Sequence, residues 1–131
     1  MVAKPQQSRP RSLIAEDNSL LAFNLEDMLR EIGCDNTKTT GEVAEGLRLI
    51  EESDFDFAIV DMILADGTSE PLMQALRRRG VPFAISSGMQ KRELSSVYPE
   101  VPILSKPYGD VEVESVVAAL TLTLSPKTVC V

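Results

Sequence analysis

Phe57-Ala58-Ile59-Val60-Asp61 is an apolar run that ends abruptly on a carboxylate. Ser53-Asp54-Phe55-Asp56 precedes it, and Asp66-Gly67-Thr68-Ser69 follows soon after. A short apolar segment bounded by polar punctuation predicts a strand buried on both faces, as in a parallel sheet. In an open α/β sheet, ligands gather outside the carboxyl ends of the strands. Asp61 is thereby placed for chemistry, and its surroundings become the question for the rest of the chain.

Upstream, Ser12-Leu13-Ile14-Ala15 reads as a second buried strand, ending on Glu16-Asp17-Asn18. Asn18 or Ser19 is predicted to cap a helix in which Leu21, Leu25, Met28 and Ile32 recur at helical spacing beside Leu29. Gly33 closes that helix. Asp35 to Thr40 reads as a peripheral strand. Gly41 leads into a helix over 42–52 with Val43, Leu47 and Ile50 on one face. Downstream, Met62 to Ser69 reads as a loop. Ser69 is predicted to cap a helix with Pro71 in its first turn and Leu72, Met73 and Leu76 on its apolar face. Arg77-Arg78-Arg79 suits the negative end of that helix, a solvated end being favoured over a nucleic-acid contact. Gly80 ends it.

Val81 to Gly88 predicts another strand, now ending in hydroxyls and a glycine. Residues 90–98 form a short helix confined by Pro99 and Pro102. Ile103-Leu104 is a last brief strand with Ser105-Lys106-Pro107-Tyr108-Gly109 as its exit loop. Asp110 is predicted to cap a final helix carrying Val113, Val116, Val117, Leu120 and Leu124 at helical spacing. Strand and helix alternate about five times. That pattern predicts a doubly wound parallel five-stranded sheet with helices on both faces.

The 131 residues suit one domain. Residues 1–11 read as a flexible N-terminal tail, 12–124 as the domain and 125–131 as a C-terminal tail. A net charge of -7 argues against nonspecific binding to nucleic-acid phosphates. Histidine is absent, which removes Ser-His-Asp hydrolysis, Cys-His proteolysis and histidine-based zinc sites. Cys34 and Cys130 form no CxxC pair and read as reduced thiols of a cytoplasmic protein. No apolar stretch approaches the roughly 18 residues of a membrane span, and residues 1–11 lack the apolar centre of a signal peptide.

The strand ends bring together Glu16, Asp17, Asp61, Ser87 followed by Gly88, and Lys106 followed by Pro107. Carboxylates about 5 Å apart repel by roughly 3 kcal/mol at an effective dielectric near 20. A hard divalent cation such as Mg²⁺ relieves that repulsion. Asp61 can then serve as a carboxylate nucleophile toward phosphorus, with Mg²⁺ and Lys106 neutralising the transferring group. Ser87 can donate to phosphoryl oxygens, and Gly88 leaves room for a backbone N–H. Each residue alone has an ordinary reading: helix-opening acids, a turn cap, a loop, a surface lysine. Their joint placement carries the chemistry.

On Ile14-Ala15-Glu16-Asp17-Asn18, Ala58-Ile59-Val60-Asp61, Ser87-Gly88 and Lys106-Pro107, the chain resembles the receiver domain of two-component response regulators, over about Ser12 to Leu124. The resemblance implies a flavodoxin-like (βα)5 fold and a phosphoacceptor rather than an enzyme. It implies that Asp61 takes a phosphoryl group from a phosphohistidine on a histidine kinase or histidine phosphotransferase. Asp17, Asp61 and the backbone carbonyl of Ile63 would hold Mg²⁺, Glu16 would bind it through water, and Ser87 and Lys106 would contact the phosphoryl group. Ile103 stands where many family members have a switch aromatic, and Tyr108 is the substitute at hand. Ala65 replaces a frequent proline, and Gly67 comes early. Phe83 to Gly88 with Lys106-Pro107-Tyr108 is similar to a subgroup of stand-alone alphaproteobacterial receivers.

The function expected is that of a single-domain receiver signalling through a downstream protein. The responsive face would be 90–98, 103–104 and 111–124, with dimerisation through the final helix left open. A receiver acting as a scaffold or a phosphate sink is the alternative. A haloacid-dehalogenase-type phosphatase is more remote. Asp66-Gly67-Thr68 is superficially similar to its DxDGT motif, but Ile63 stands where its second Asp is needed. A flavodoxin-like cofactor binder would want a hydroxyl- and Gly-rich phosphate loop where Glu16-Asp17 stands.

Overall fold

The structure, a computed structural model, describes residues 10–122. Residues 1–9 of the expected N-terminal tail, the whole expected C-terminal tail, Leu124 and Cys130 lie outside the described residues, whereas Arg11, expected in the tail, belongs to the first strand. The elements are β1 (Arg11–Ala15), α1 (Ser19–Glu31), β2 (Asn36–Thr40), α2 (Val43–Glu52), β3 (Phe57–Asp61), β4 (Ile63–Leu64), β5 (Gly67–Thr68), α3 (Glu70–Arg78), β6 (Phe83–Ser87), α4 (Lys91–Val97), β7 (Ile103–Ser105) and α5 (Asp110–Leu122). Five strands form one parallel sheet in the order β2-β1-β3-β6-β7. β1 therefore has β2 on one side and β3 on the other, and the strand order reverses at the β1/β3 pair. Such a switch point opens a crevice at the carboxyl ends of the strands.

All five residues of β3 are buried. Their alternation divides the core. Ala58 and Val60 face one cluster with Leu13, Ile85, Ile103 and residues of α2, α3 and α4, including Ile50, Leu72, Leu76 and Leu94. Phe57 and Ile59 face the other with Ile14, Ala84, Leu104, and Leu25, Leu29, Val113, Val117 and Leu120 of α1 and α5. Period 2 in the strands and period 3.6 in the helices thus meet on each face. Each large apolar side chain fully buried contributes about 1.5–3 kcal/mol.

The local punctuation works largely as its chemistry dictates. Asn18 caps α1, its Oδ1 accepting from the N–H groups of Leu20 at 3.0 Å and Leu21 at 3.1 Å. Gly33 has φ 97°, which terminates α1 at no steric cost. Arg79 pairs with Asp54 at 3.2 Å, and Arg77 lies over the Phe83 ring. β1 starts one residue earlier than expected, because the Asp56 carboxylate accepts the Arg11 N–H at 2.8 Å and Asp56 N–H returns a bond to the Arg11 carbonyl at 2.7 Å.

Four expectations are corrected. Met62 to Ser69 is not a plain loop: β4 and β5 pair as a small antiparallel hairpin, turned at Ala65-Asp66. Ser69 occupies the cap position of α3, but its hydroxyl makes no capping bond and is buried without a partner among the described residues. Asp110 is the first residue of α5, and Gly109 N–H is satisfied by Glu112 at 2.9 Å instead. Finally, Ile103 and Leu104 are only 7% and 1% exposed. Covered by helices, these two side chains are out of a partner's reach, so of the expected responsive face only 90–98 and, among the described residues, 111–122 present side chains outward.

Candidate functional site

The carboxyl ends of β1 and β3 deliver the acids. Glu16 follows β1 directly and continues its pairing with β2, its N–H donating to the Thr40 carbonyl at 2.8 Å. Its Oε2 accepts the Asn18 N–H at 3.1 Å, so the turn that caps α1 also fixes Glu16. Glu16 is buried and Asp17 is exposed. Gly41 lies against Asp17 so closely that an added Cβ would sit 3.1 Å from the Asp17 Cα. Asp61 ends β3, 8% exposed. One oxygen each from Glu16, Asp17 and Asp61 all lie within 4.8 Å of one another.

Lys106 enters from the end of β7. Its N–H donates to the Ser87 carbonyl at 2.8 Å, which holds the β6 and β7 exits together. Its Nζ donates to Asp61 Oδ2 at 2.8 Å and lies 2.9 Å from Glu16 Oε1. Burial opposes charge on this ammonium. The contacts with Asp61 and Glu16 outweigh that and hold its pKa above the ordinary lysine value. The Glu16 pKa is raised as well, which for a carboxyl disfavours the charged form. Burial is the main cause that raises its pKa, Asp61 adds to it, and Lys106 and the Asn18 N–H only partly compensate. The site thus holds more negative charge than one ammonium balances.

The donor set fits Mg²⁺, since hard carboxylate and carbonyl oxygens are what that ion takes. The hairpin bears on the fourth predicted donor. Met62 carbonyl accepts from Ser69 N–H at 2.9 Å. Antiparallel pairs alternate between bonded and non-bonded, so the next pair, Ile63–Thr68, leaves the Ile63 carbonyl outside the ladder.

Ser87 is 4% exposed, and its Oγ accepts the Met89 N–H at 3.0 Å. Its own O–H remains available to donate. Gly88 is exposed beside it. Tyr108, two residues past Lys106, packs on the α1–α5 core. Ile103 lies in the other core cluster, away from the site surface.

Sequence reasoning missed one residue that braces the site. Asp66 receives the N–H groups of Val43 at 2.6 Å and Ala44 at 3.1 Å. These bonds, that to Val43 first, hold the Asp66 carboxyl below its ordinary pKa. Glu42, at the cap position of α2, makes no side-chain cap bond, so an acid from the β4–β5 turn caps α2 across the fold. Ala65 N–H donates to the Gly41 carbonyl at 3.1 Å beside it. The only local sign is Asp66-Gly67, a turn dipeptide whose long-range partner no window of sequence contains.

A five-stranded α/β sheet with an acid cluster at its switch point and a lysine bridging two of those acids defines a receiver-type scaffold. No family model and no curated protein matches the chain. Solved structures do. SdrG from Sphingomonas melonis Fr1 is 34% identical, with 86% of this chain and 97% of that one covered at a TM-score of 0.73. The PhyR response regulator receiver domain from Erythrobacter litoralis is 21% identical over 89% and 93%, TM-score 0.77. The receiver domain of a Pseudomonas aeruginosa PAO1 sensor histidine kinase, solved with magnesium coordinated in its active-site cleft, is 20% identical over 86% and 95%, TM-score 0.70. The chain belongs to the response regulator receiver-domain family.

Proposed function

We propose that this receiver accepts a phosphoryl group on Asp61 from a phosphohistidine of a partner kinase or phosphotransferase, with Mg²⁺ required. The observation that carries the reading is the Lys106 ammonium, 2.8 Å from Asp61 and 2.9 Å from Glu16, beside a cluster of three carboxylates. An Asp61 oxygen forms the O–P bond as the donor's N–P bond breaks, and the leaving imidazole nitrogen takes up a proton. Asp17, Asp61 and the Ile63 carbonyl would hold the metal, with Glu16 acting through water. The ion supplies positive charge against the phosphoryl oxygens. Lys106 follows the growing negative charge on those oxygens, and the Ser87 hydroxyl donates to one of them. These 131 residues hold no histidine, which agrees with a phosphohistidine supplied from outside them, and the exchange is proposed for the cytoplasm.

Output is read through protein contact on α4 and α5, where Val97 is 65% and Val111 76% exposed. Intact mass after incubation with Mg²⁺ and acetyl phosphate tests the acceptor. Wild type gains the mass of one phosphoryl group, and Asp61→Asn or wild type in EDTA gains none. An unmodified wild type under conditions where it is folded would favour a phosphorylation-independent scaffold. An adduct that changes no partner's binding would favour a phosphate sink. A phosphatase of the DxDGT type is disfavoured because Ile63 supplies no second acid and Asp66 is engaged in capping α2.

A further inference from the structure

Two buried polar atoms beside the site lack a hydrogen bond among the described residues: Glu16 Oε1 and the Tyr108 hydroxyl. They are complementary, one a carboxylate acceptor and the other a phenol donor. Glu16 Oε1 does touch Lys106 Nζ at 2.9 Å, but off the hydrogen-bonding direction; the aligned Lys106 donor goes to Asp61 Oδ2 at 2.8 Å. The Tyr108 ring packs with Met28 and Val116 on the α1–α5 core. Burial raises its pKa most, and the negative charge of Glu16 is the next cause, ahead of Asp61. The phenol therefore stays protonated and keeps its O–H as a donor. A phenylalanine would fill the same core space with no hydroxyl to satisfy, so the oxygen needs a purpose that this state of the protein does not reveal.

We propose that Tyr108 is a positioning residue whose hydroxyl donates to Glu16 Oε1 once Asp61 carries a phosphoryl group. The inference rests on the reading of Asp61 as the acceptor. Phosphorylation turns one Asp61 oxygen into the bridging oxygen of an acyl phosphate and moves the negative charge outward onto the phosphoryl group. Lys106 moves with that charge and loosens from Glu16, whose buried oxygen then takes the waiting phenol. No proton changes owner. The exchange draws on the loop from Lys106 to Gly109, and α5 begins immediately afterwards at Asp110. The state of the site is thereby passed to α5 with Ile103 in place of a switch aromatic.

The chain has only two tyrosines, Tyr98 and Tyr108. Tyrosine labelled with ¹³C at Cζ, in the full chain carrying Tyr98→Phe, therefore gives one phenol signal. We expect that signal to move downfield when acetyl phosphate is added with Mg²⁺, in step with the mass of the adduct, and to move less in Glu16→Gln. In Tyr108→Phe the half-life of the adduct should change at least threefold, while the urea midpoint without phosphodonor stays the same or rises. An adduct with an unmoved Tyr108 signal would overturn the proposal and leave the acceptor reading intact. Absence of any adduct in wild type would overturn both.

Discussion

Replacing Lys106 with methionine keeps most of the stem and removes the ammonium that separates Asp61 from Glu16. The gross attraction at stake is about 6 kcal/mol for a pair near 2.8 Å at an effective dielectric of 20. Desolvation offsets much of it, and breaking a buried pair costs about 3–5 kcal/mol. The Lys106 side chain is 22% exposed and those of Glu16 and Asp61 3% and 11%, so solvent screens the pair little. Proton uptake sets a ceiling. Glu16 can escape its unpaired charge by protonating, and from its ordinary pKa of 4.5 that costs about 3.4 kcal/mol at pH 7 and about 1.4 kcal/mol at pH 5.5. Losing Lys106 raises the folded-state pKa of Glu16 further. A raised carboxylate favours the folded state at low pH, and that advantage is lost as pH rises through the folded value. Urea unfolding in EDTA should therefore show Lys106→Met less stable than wild type by about 3 kcal/mol at pH 7 and by about half that at pH 5.5. Saturating Mg²⁺ should stabilise the variant more than wild type, since the ion no longer competes with the ammonium. Equal midpoints at pH 7, or a deficit that grows as pH falls, would refute the electrostatic account of this site.

Two further perturbations probe how the site is braced. Asp66→Ala should lower Tm by a few degrees, because α2 loses its cap and the β4–β5 hairpin its tether. The Asp66 pKa is lowered by folding, so the stability it lends is present above its ordinary 3.8 and fades as pH falls through the folded value; thermal melts of the two proteins should converge in acid. Gly41→Ala places a Cβ 3.1 Å from the Asp17 Cα. Isothermal titration should show Mg²⁺ bound several-fold more weakly, while the metal-free unfolding free energy from urea falls by about 1–3 kcal/mol.

The elements were legible because their signals are local. Phe57 to Asp61 is apolar because both faces of its strand are covered, and that shows in consecutive residues. Asn18 before α1 and Gly33 after it act on their own neighbours, so they too can be read from the chain. The acids, Ser87 and Lys106 were legible as strand-end residues, and the structure brings Glu16, Asp17, Asp61 and Lys106 together. The β4–β5 hairpin was not legible, since two-residue strands carry no periodicity. The burial of Ile103 and Leu104 was underestimated as a matter of surface, although their apolar character had already made them a strand.

The sequence by itself determined the alternation of strand and helix and the kinds of chemical group at the strand ends, because burial pattern, caps and turns depend on residues a few positions apart. Tertiary structure alone decided how charge is shared there. Lys106 reaches Asp61 across 45 positions and divides its ammonium between Asp61 and Glu16. Asp66 caps a helix that begins 23 residues before it, and the Tyr108 hydroxyl is enclosed without a partner among the described residues. Each of these depends on a distance set by sheet order and on a desolvation set by packing, and neither quantity exists until the chain has folded.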